Sequence, residues 1–361
     1  MTHSRAMTSH HNVEWRYQRV LGLMDDVAAQ SGDRLPIFAT PVSCSWQWSR
    51  RGSWLGGFWG AAWWLRARLA EAGAAEYAEA IQRRLEPQLE ADSVHRAMIF
   101  WYGAGLGSLW CGHPPSESLM RDALAVLLAS YNNHYGCFPL GSGLGAGEQG
   151  AKRVSVDSLS SLVALVQHGG DRSALDNLHA HIDTLRHHCA LGKGLYRAQG
   201  ALSGDDDVKR PWPRGQAWTM LGLVRAAEIW PEPFASDAMF ACNGWWRRWA
   251  HRIPLQDAGE QTPLPDASAS LMAGLAMLKG QYRLGWNAVW RSRANTLIET
   301  ALQSPAIGSL DQQLPAALFS PYRVAPGNVA LVQTPWTLFF SLLALAFQTG
   351  RLSLHDVVEV I

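Results

Sequence analysis

Apolar residues recur at helical spacing along the whole 361-residue chain, and no segment sustains the period-two alternation of a half-buried strand. The spacing predicts helices over Val13–Gln30, Trp54–Ala72, Ala75–Glu90, His95–Cys111, Glu117–Asn132, Asp157–His168, Arg172–Cys189, Arg214–Trp230, Phe234–Arg252, Ala267–Lys279, Trp286–Gln303 and Thr334–Gly350. Boundary signals agree with several of them. Ser116, Asp171 and Asp266 stand where caps belong, and Gly73 and Gly169 stand where the second and sixth helices stop. Longer connections rich in Gly, Pro and Asp lie at Tyr135–Ser155, Leu191–Pro213, Pro254–Pro265 and Pro305–Val332.

Four segments are apolar on nearly all sides: Thr219–Leu223, Ala267–Leu278, Leu338–Phe347 and the run Trp54–Leu65. Helices of that kind belong inside a second layer of amphipathic ones. Twelve helices joined alternately by short turns and long loops therefore predict an all-α (α/α)6 barrel. It should form a single domain over 13–361, after a disordered tail over 1–12. The long loops gather at one end of such a ring, and loops longer than about a dozen residues are often functional. The site is expected at that mouth, near the N-terminal ends of the inner helices.

Composition narrows the class. The net charge of +1 leaves no electrostatic footprint for nucleic acid or an anionic membrane. No apolar run is long enough to span a bilayer, and residues 1–12 are polar without the apolar core of a signal peptide. The five cysteines (Cys44, Cys111, Cys137, Cys189, Cys242) are widely spread with no CxxC, which speaks against a disulfide framework or zinc site and for a reducing, cytoplasmic setting. Eighteen tryptophans are the outlier; indoles fill cores and also stack on sugar rings.

Two stretches carry the candidate chemistry: Val156-Asp157-Ser158-Leu159 and Trp212-Pro213-Arg214-Gly215-Gln216-Ala217-Trp218, each leading into an apolar helix. Aromatic faces, a guanidinium and an amide suit a pocket that grips a sugar, while one carboxyl group moves a proton. Asp157 is equally suited to a helix N-cap, a common post for aspartate. Other features carry less. His179, His181, His187 and His188 share one predicted outer helix without a placed carboxylate partner. Gly141–Gly147 lacks the lysine of a phosphate loop and reads as a flexible lid. Asp205-Asp206-Asp207 lacks calcium-loop spacing and reads as solvated.

With that pattern laid out, the chain resembles the unsaturated glucuronyl and unsaturated rhamnogalacturonyl hydrolases (glycoside hydrolase families 88 and 105), in order from about Trp46 to Ala346. Ser53-Trp54-Leu55-Gly56-Gly57-Phe58-Trp59 is similar to the family's W-T-x-G-F-W-x-G helix start, and Val156-Asp157-Ser158-Leu159 to its I-D-N-M segment. Trp212–Trp218 is close to the W-x-R-G-Q-A-W signature, the most specific of the matches. Asp266-Ala267-Ser268-Ala269-Ser270 is similar to a D-S-S-A-S helix start, and Thr334-Pro335-Trp336 opens the segment similar to the last inner helix.

The resemblance implies removal of a Δ4,5-unsaturated uronic acid from an oligosaccharide by hydration of its vinyl ether, without metal or cofactor. Asp157 would be the general acid and then base. Trp54, His95, Arg96, Arg197, Trp212, Arg214, Gln216 and Trp218 would bind an anionic sugar, in a monomer or homodimer. The chain departs from the pattern at two positions. Arg96 stands where the family has a second aspartate, and Arg197 where it has a histidine. A guanidinium beside Asp157 would lower its pKa and oppose acid catalysis. A different reaction on an anionic sugar or enol ether, and a non-catalytic sugar-binding role, therefore stay open.

Overall fold

The computed structural model of the chain describes residues 2–41, 45–204, 210–250, 252–258, 261–305, 314–325 and 327–361. Every predicted helix is present: α1 (Thr2–Ser31), α2 (Leu55–Arg68), α3 (Ala74–Leu85), then α4 (Arg96–Phe100), which continues through a π-helical turn at Trp101–Gly105 into α5 (Leu106–Cys111). There follow α6 (Pro114–Leu128), α7 (Leu159–Gly169), α8 (Arg172–Cys189), α9 (Pro213–Ile229), α10 (Pro231–Trp249), α11 (Ala267–Arg283), α12 (Ala288–Gln303) and α13 (Pro335–Gln348). A further helix, α14 (Leu354–Val360), was not predicted; its seven residues are too few for periodicity, but Ser353 and Asp356 form a capping box at its start. Helix α1 begins at Thr2 rather than Val13, where a disordered tail was expected. No glycine or proline interrupts that stretch, so nothing local stops the helix from continuing.

The helices form an (α/α)6 barrel. Around the inner ring α2 packs on α4, α4 on α7, α7 on α9, α9 on α11, α11 on α13, and α13 back on α2. The outer ring places α3, α6, α8, α10 and α12 against the inner helices that precede them, and α1 against α13. Burial follows from composition. Helices α2, α9, α11 and α13 are buried on all sides over Leu55–Leu65, Pro213–Ala227, Ala267–Gly280 and Pro335–Ala346. Small residues let the inner backbones touch. A Cβ on Gly57 would lie 2.5 Å from the Ile99 carbonyl oxygen, and one on Gly222 would lie 2.3 Å from Leu159 Cγ. The barrel axis is filled by Phe58, Tyr102, Trp218, Phe339 and Phe340, with ring centroids 4.2–6.2 Å apart.

The connections contain short strands that periodicity did not reveal, because two to seven residues cannot establish an alternation. They are β1 (Leu35–Ala39) and β2 (Trp46–Ser49) before α2, β3 (Arg153–Ser155) before α7, and β4 (Ala190–Gly192), β5 (Leu195–Tyr196) and β6 (Gln199–Ala201) before α9. A hairpin of β7 (Leu255–Ala258) and β8 (Gln261–Pro265) precedes α11, and β9 (Phe319–Ala325) and β10 (Asn328–Gln333) precede α13. Each group feeds the N-terminus of an inner helix, so all lie at one end of the barrel, the mouth. There the largest sheet runs β2-β1-β10-β9, with Ala39 paired to Gln333.

Candidate active site

Asp157 lies in the turn between β3 and α7, at the mouth. It is not the helix cap: Ser158 holds that position, without a side-chain cap bond, and the carboxyl oxygen Oδ1 of Asp157 is buried without a hydrogen-bond partner. Burial pushes its carboxyl up to about 6, against the opposing pull of the Arg214 guanidinium. Asp157 therefore does not serve α7 as a cap, the post its place in sequence also suits.

Arg214 opens α9 immediately after Pro213, whose fixed φ suits the first helical turn. Its guanidinium carbon sits 4.5 Å from the Trp212 ring centre and 5.2 Å from that of Trp336, an arrangement that holds a planar cation between two indoles. Nη1 donates to the Pro321 carbonyl at 2.9 Å, tying α9 to β9. Trp212 is fixed in turn by its indole N–H, which donates to Gln256 on β7 at 2.9 Å.

His95 and Trp54 stand at the N-cap positions of α4 and α2, and His95 reaches Ser158, the residue after Asp157. The His95 ring is held neutral, its pKa lowered by burial to about 4, and its Nδ1 lies 2.6 Å from Ser158 Oγ. Trp54 lies 6.4 Å from the His95 ring and packs edge-on against Phe58. Contacts thus join Trp54 to His95 and His95 to Ser158 beside Asp157, and, at the start of α9, Arg214 to Trp212.

Four predicted binding residues are placed otherwise. Arg96 donates from Nε to Ser93, from Nη1 to Leu89 and from Nη2 to Val126, all backbone carbonyls, at 2.9–3.2 Å. It braces the start of α4 against α6, and the cation that acts on Asp157 is Arg214. Arg197 turns its Nε and Nη2 to the His188 carbonyl. Gln216 is fully buried; its Oε1 accepts from the Tyr196 N–H at 2.7 Å, and its Nε2 donates to the Gly194 and Ala241 carbonyls. Trp218 is a core residue between Phe58 and Phe340.

The remaining sequence features resolve as structure. Ser142 donates from N and Oγ to Asp92 at 2.8 and 2.6 Å, so the Gly141–Gly147 stretch is docked on the chain before α4 rather than free as a lid. Gly141, at φ +80° and with the Asp92 carbonyl 2.3 Å from where a Cβ would sit, explains one of its glycines. On α8, His179 pairs with Asp183 at 3.2 Å, and buried His181 accepts the Phe138 N–H through Nδ1. Cys111, Cys137 and Cys242 are free thiols; Cys44 and Asp205-Asp206-Asp207 lie outside the described residues. Among the described residues no helix is long and apolar enough to cross a membrane.

Asp266, a cap by sequence and the first residue of the D-S-S-A-S-like helix start, has a further feature. Asp266 does cap α11, accepting from Ala269 N at 3.1 Å and from the Ser268 hydroxyl through the same oxygen. It is also completely buried, its second oxygen Oδ2 has no partner, and Arg214 is the charged group acting on it. Its position at the start of an inner helix, like that of Asp157, was the available signal.

Several solved structures that superpose on this barrel are unsaturated glucuronyl hydrolases. An unsaturated glucuronyl hydrolase from Bacillus sp. GL1 matches with a TM-score of 0.76 at 18% identity, over 91% of this chain and 96% of that one. The enzyme from Streptococcus agalactiae reaches 0.80 at 15% identity over 96% and 94%. An unsaturated glucuronyl hydrolase specific for heparin gives 0.76 at 16% identity over 94% and 97%. The chain has the fold of the unsaturated glucuronyl hydrolases. A mutant of the streptococcal hydrolase is complexed with dGlcA-GalNAc6S. No protein-family model matches the chain, and no curated protein matches it.

Proposed function

We propose that this protein is a divergent, cytoplasmic unsaturated uronyl hydrolase with Asp157 as its acid and base. The observation that carries the reading is the state of Asp157. It is a carboxyl in the turn that enters an inner helix, not used as its cap, with an unbonded buried oxygen and a pKa raised by burial to about 6. A carboxyl held there can donate a proton near neutral pH and take one back, as a single group doing both jobs requires.

The reaction balances with this chain's own groups. Asp157 transfers its proton to C4 of the Δ4,5 double bond, and the π electrons form the new C–H bond. The cation left at C5 is shared with the ring oxygen. Water adds at C5 and gives its proton to the Asp157 carboxylate, which restores the acid. The hemiketal then opens and the aglycone departs from C1 with its electron pair and a proton. Arg214, held flat between Trp212 and Trp336, is the group suited to the substrate carboxylate, which planar guanidinium pairs bidentately. Trp54 offers an indole edge to the sugar, and neutral His95 orients the Ser158 hydroxyl next to Asp157.

The test is a panel of lyase-generated Δ4,5-unsaturated disaccharides, followed by loss of their ultraviolet absorbance. Wild type should bleach at least one of them, and Asp157→Asn should lower that rate by about a thousandfold or more while keeping the helical circular dichroism. Retained turnover in Asp157→Asn removes its role. Tight binding with no bleaching by wild type would assign the site to another reaction or to binding alone.

A further inference from the structure

The end of α10 carries cations that the chemistry of the mouth does not use. Arg247, Arg248 and Arg252 line a recess of about 330 Å³ together with Trp246 and Trp249. The three arginines are exposed, and among the described residues no carboxylate pairs with any of them. The negative end of a helix favours cations, but that preference explains neither the recess nor the lack of acids beside neighbouring guanidiniums. Like charges so close repel one another, so an anion seated among them is favoured. Two of the guanidiniums are held in place beforehand. Arg247 lies 5.7 Å from the Phe240 ring centre and donates to the Lys193 carbonyl at 3.0 Å, and Arg248 lies 5.4 Å from the ring centre of Trp249. Groups ordered in advance lose less freedom on binding.

The recess stands on the rim of the mouth. Lys193 belongs to the β4–β5 turn, and a Cβ on Gly244 of α10 would lie 2.4 Å from the Gly194 carbonyl oxygen, so the helix end is pressed against that turn. The chain leaving the recess runs straight to the mouth: the Pro254 carbonyl accepts the Asp266 N–H at 2.8 Å, and Gln256 holds the Trp212 indole. Four residues separate Arg252 from Gln256, a reach of about 14 Å at most. We propose that this recess is a second carbohydrate-binding site, an exosite that holds the sulfate or carboxylate groups of an anionic glycan whose end enters the mouth. Guanidinium groups match both oxyanions, and Trp246 and Trp249 give the recess an apolar wall for the sugar's C–H surface. A net charge of +1 offers no wider basic face for a nucleic acid. The direction of the glycan rests on the reading of the mouth as a sugar site; the exosite itself does not.

The experiment uses a saturated ligand that the proposed hydration cannot consume. A fluorescently labelled heparin hexasaccharide is titrated with the protein at low ionic strength and followed by anisotropy. Wild type should bind it, and binding should weaken as salt rises. Arg248→Gln combined with Arg252→Gln removes two cations that make no side-chain hydrogen bond among the described residues, so the helical circular dichroism should stay as it is. The dissociation constant of that double variant should rise by about tenfold or more, and that of Arg247→Gln by less. Labelled maltohexaose, which has no charge, should show no such difference between the proteins. Absence of heparin binding by wild type, or an affinity within about twofold of wild type in the double variant, overturns the proposal. So does a single-stranded oligonucleotide that binds as tightly as heparin and is lost with the same substitutions, which would assign the recess to nucleic acid. Failure of the hydration reading shows separately, as an unbleached unsaturated disaccharide with the heparin difference intact.

Discussion

Arg96, Arg197 and Gln216 share a lesson: a polar side chain next to a signature position can serve the backbone rather than the substrate. Their donors go to main-chain carbonyls, and a buried donor left without an acceptor is costly. Sequence cannot separate this use from sugar binding, because both call for the same donors at the same end of an inner helix. Asp157 stands out in sequence through its place in an ordered run of motifs, and in the structure Ser158, not Asp157, takes the cap position. Asp266 is half legible, since its capping bonds leave a local signature in sequence and its complete burial with an unbonded second oxygen does not. The consequence for Arg96 is direct. Arg96→Ala should lower unfolding free energy in urea by about 3 kcal/mol, since three carbonyls lose a charged donor. Its dissociation constant for an unsaturated disaccharide should stay within about twofold of wild type, because the guanidinium is turned away from the mouth. A large loss of affinity with unchanged stability would return Arg96 to the site.

The helices were readable because each is long enough to repeat its pattern, and because the inner ones lack a polar face altogether. Three features escaped. The strands of the mouth are too short to alternate, α14 is a bare two turns, and the π-helical turn at Trp101–Gly105 adds a residue to a pattern that otherwise continues. What drives the inner helices together is equally visible in retrospect. Glycines at 57 and 103 stand where α2 meets the α4–α5 segment, and a Cβ at Gly57 would meet the Ile99 carbonyl oxygen at 2.5 Å and Met98 O at 2.9 Å. Backbone cannot yield as a side-chain tip does. Gly57→Ala should therefore destabilise the protein by about 3 kcal/mol in chemical denaturation despite the better helix propensity of alanine. A neutral or stabilised variant would mean that the two helices have room to separate.

Proton linkage ties the barrel's stability to its buried titratable groups, with opposite signs. Burial lowers His95 to about 4 and His181 to about 3, so below pH 6.5 the unfolded chain takes up protons that the native one refuses. Their stabilisation is complete above pH 6.5 and is lost as pH falls through these windows, by up to about 1.4 kcal/mol per pH unit for each group. Asp157 acts the other way: between 3.8 and about 6 the native state holds a proton that the unfolded chain has released, so acidification there stabilises. Urea unfolding across pH should accordingly show a shallower acid loss in His181→Gln than in wild type, and a steeper one in Asp157→Asn; parallel curves would contradict both. The ring also has a seam. Helix α13 lies on α1 and α2, Ala39 pairs with Gln333, and Arg351 grips Glu14 at 2.7 Å, so elements roughly 300 residues apart must meet before the circle shuts. During vectorial synthesis the first hairpins emerge from the ribosome with their greasy flanks uncovered, waiting for a late-arriving keystone. Nascent chains stalled before that keystone should be the aggregation-prone, chaperone-dependent form of this protein.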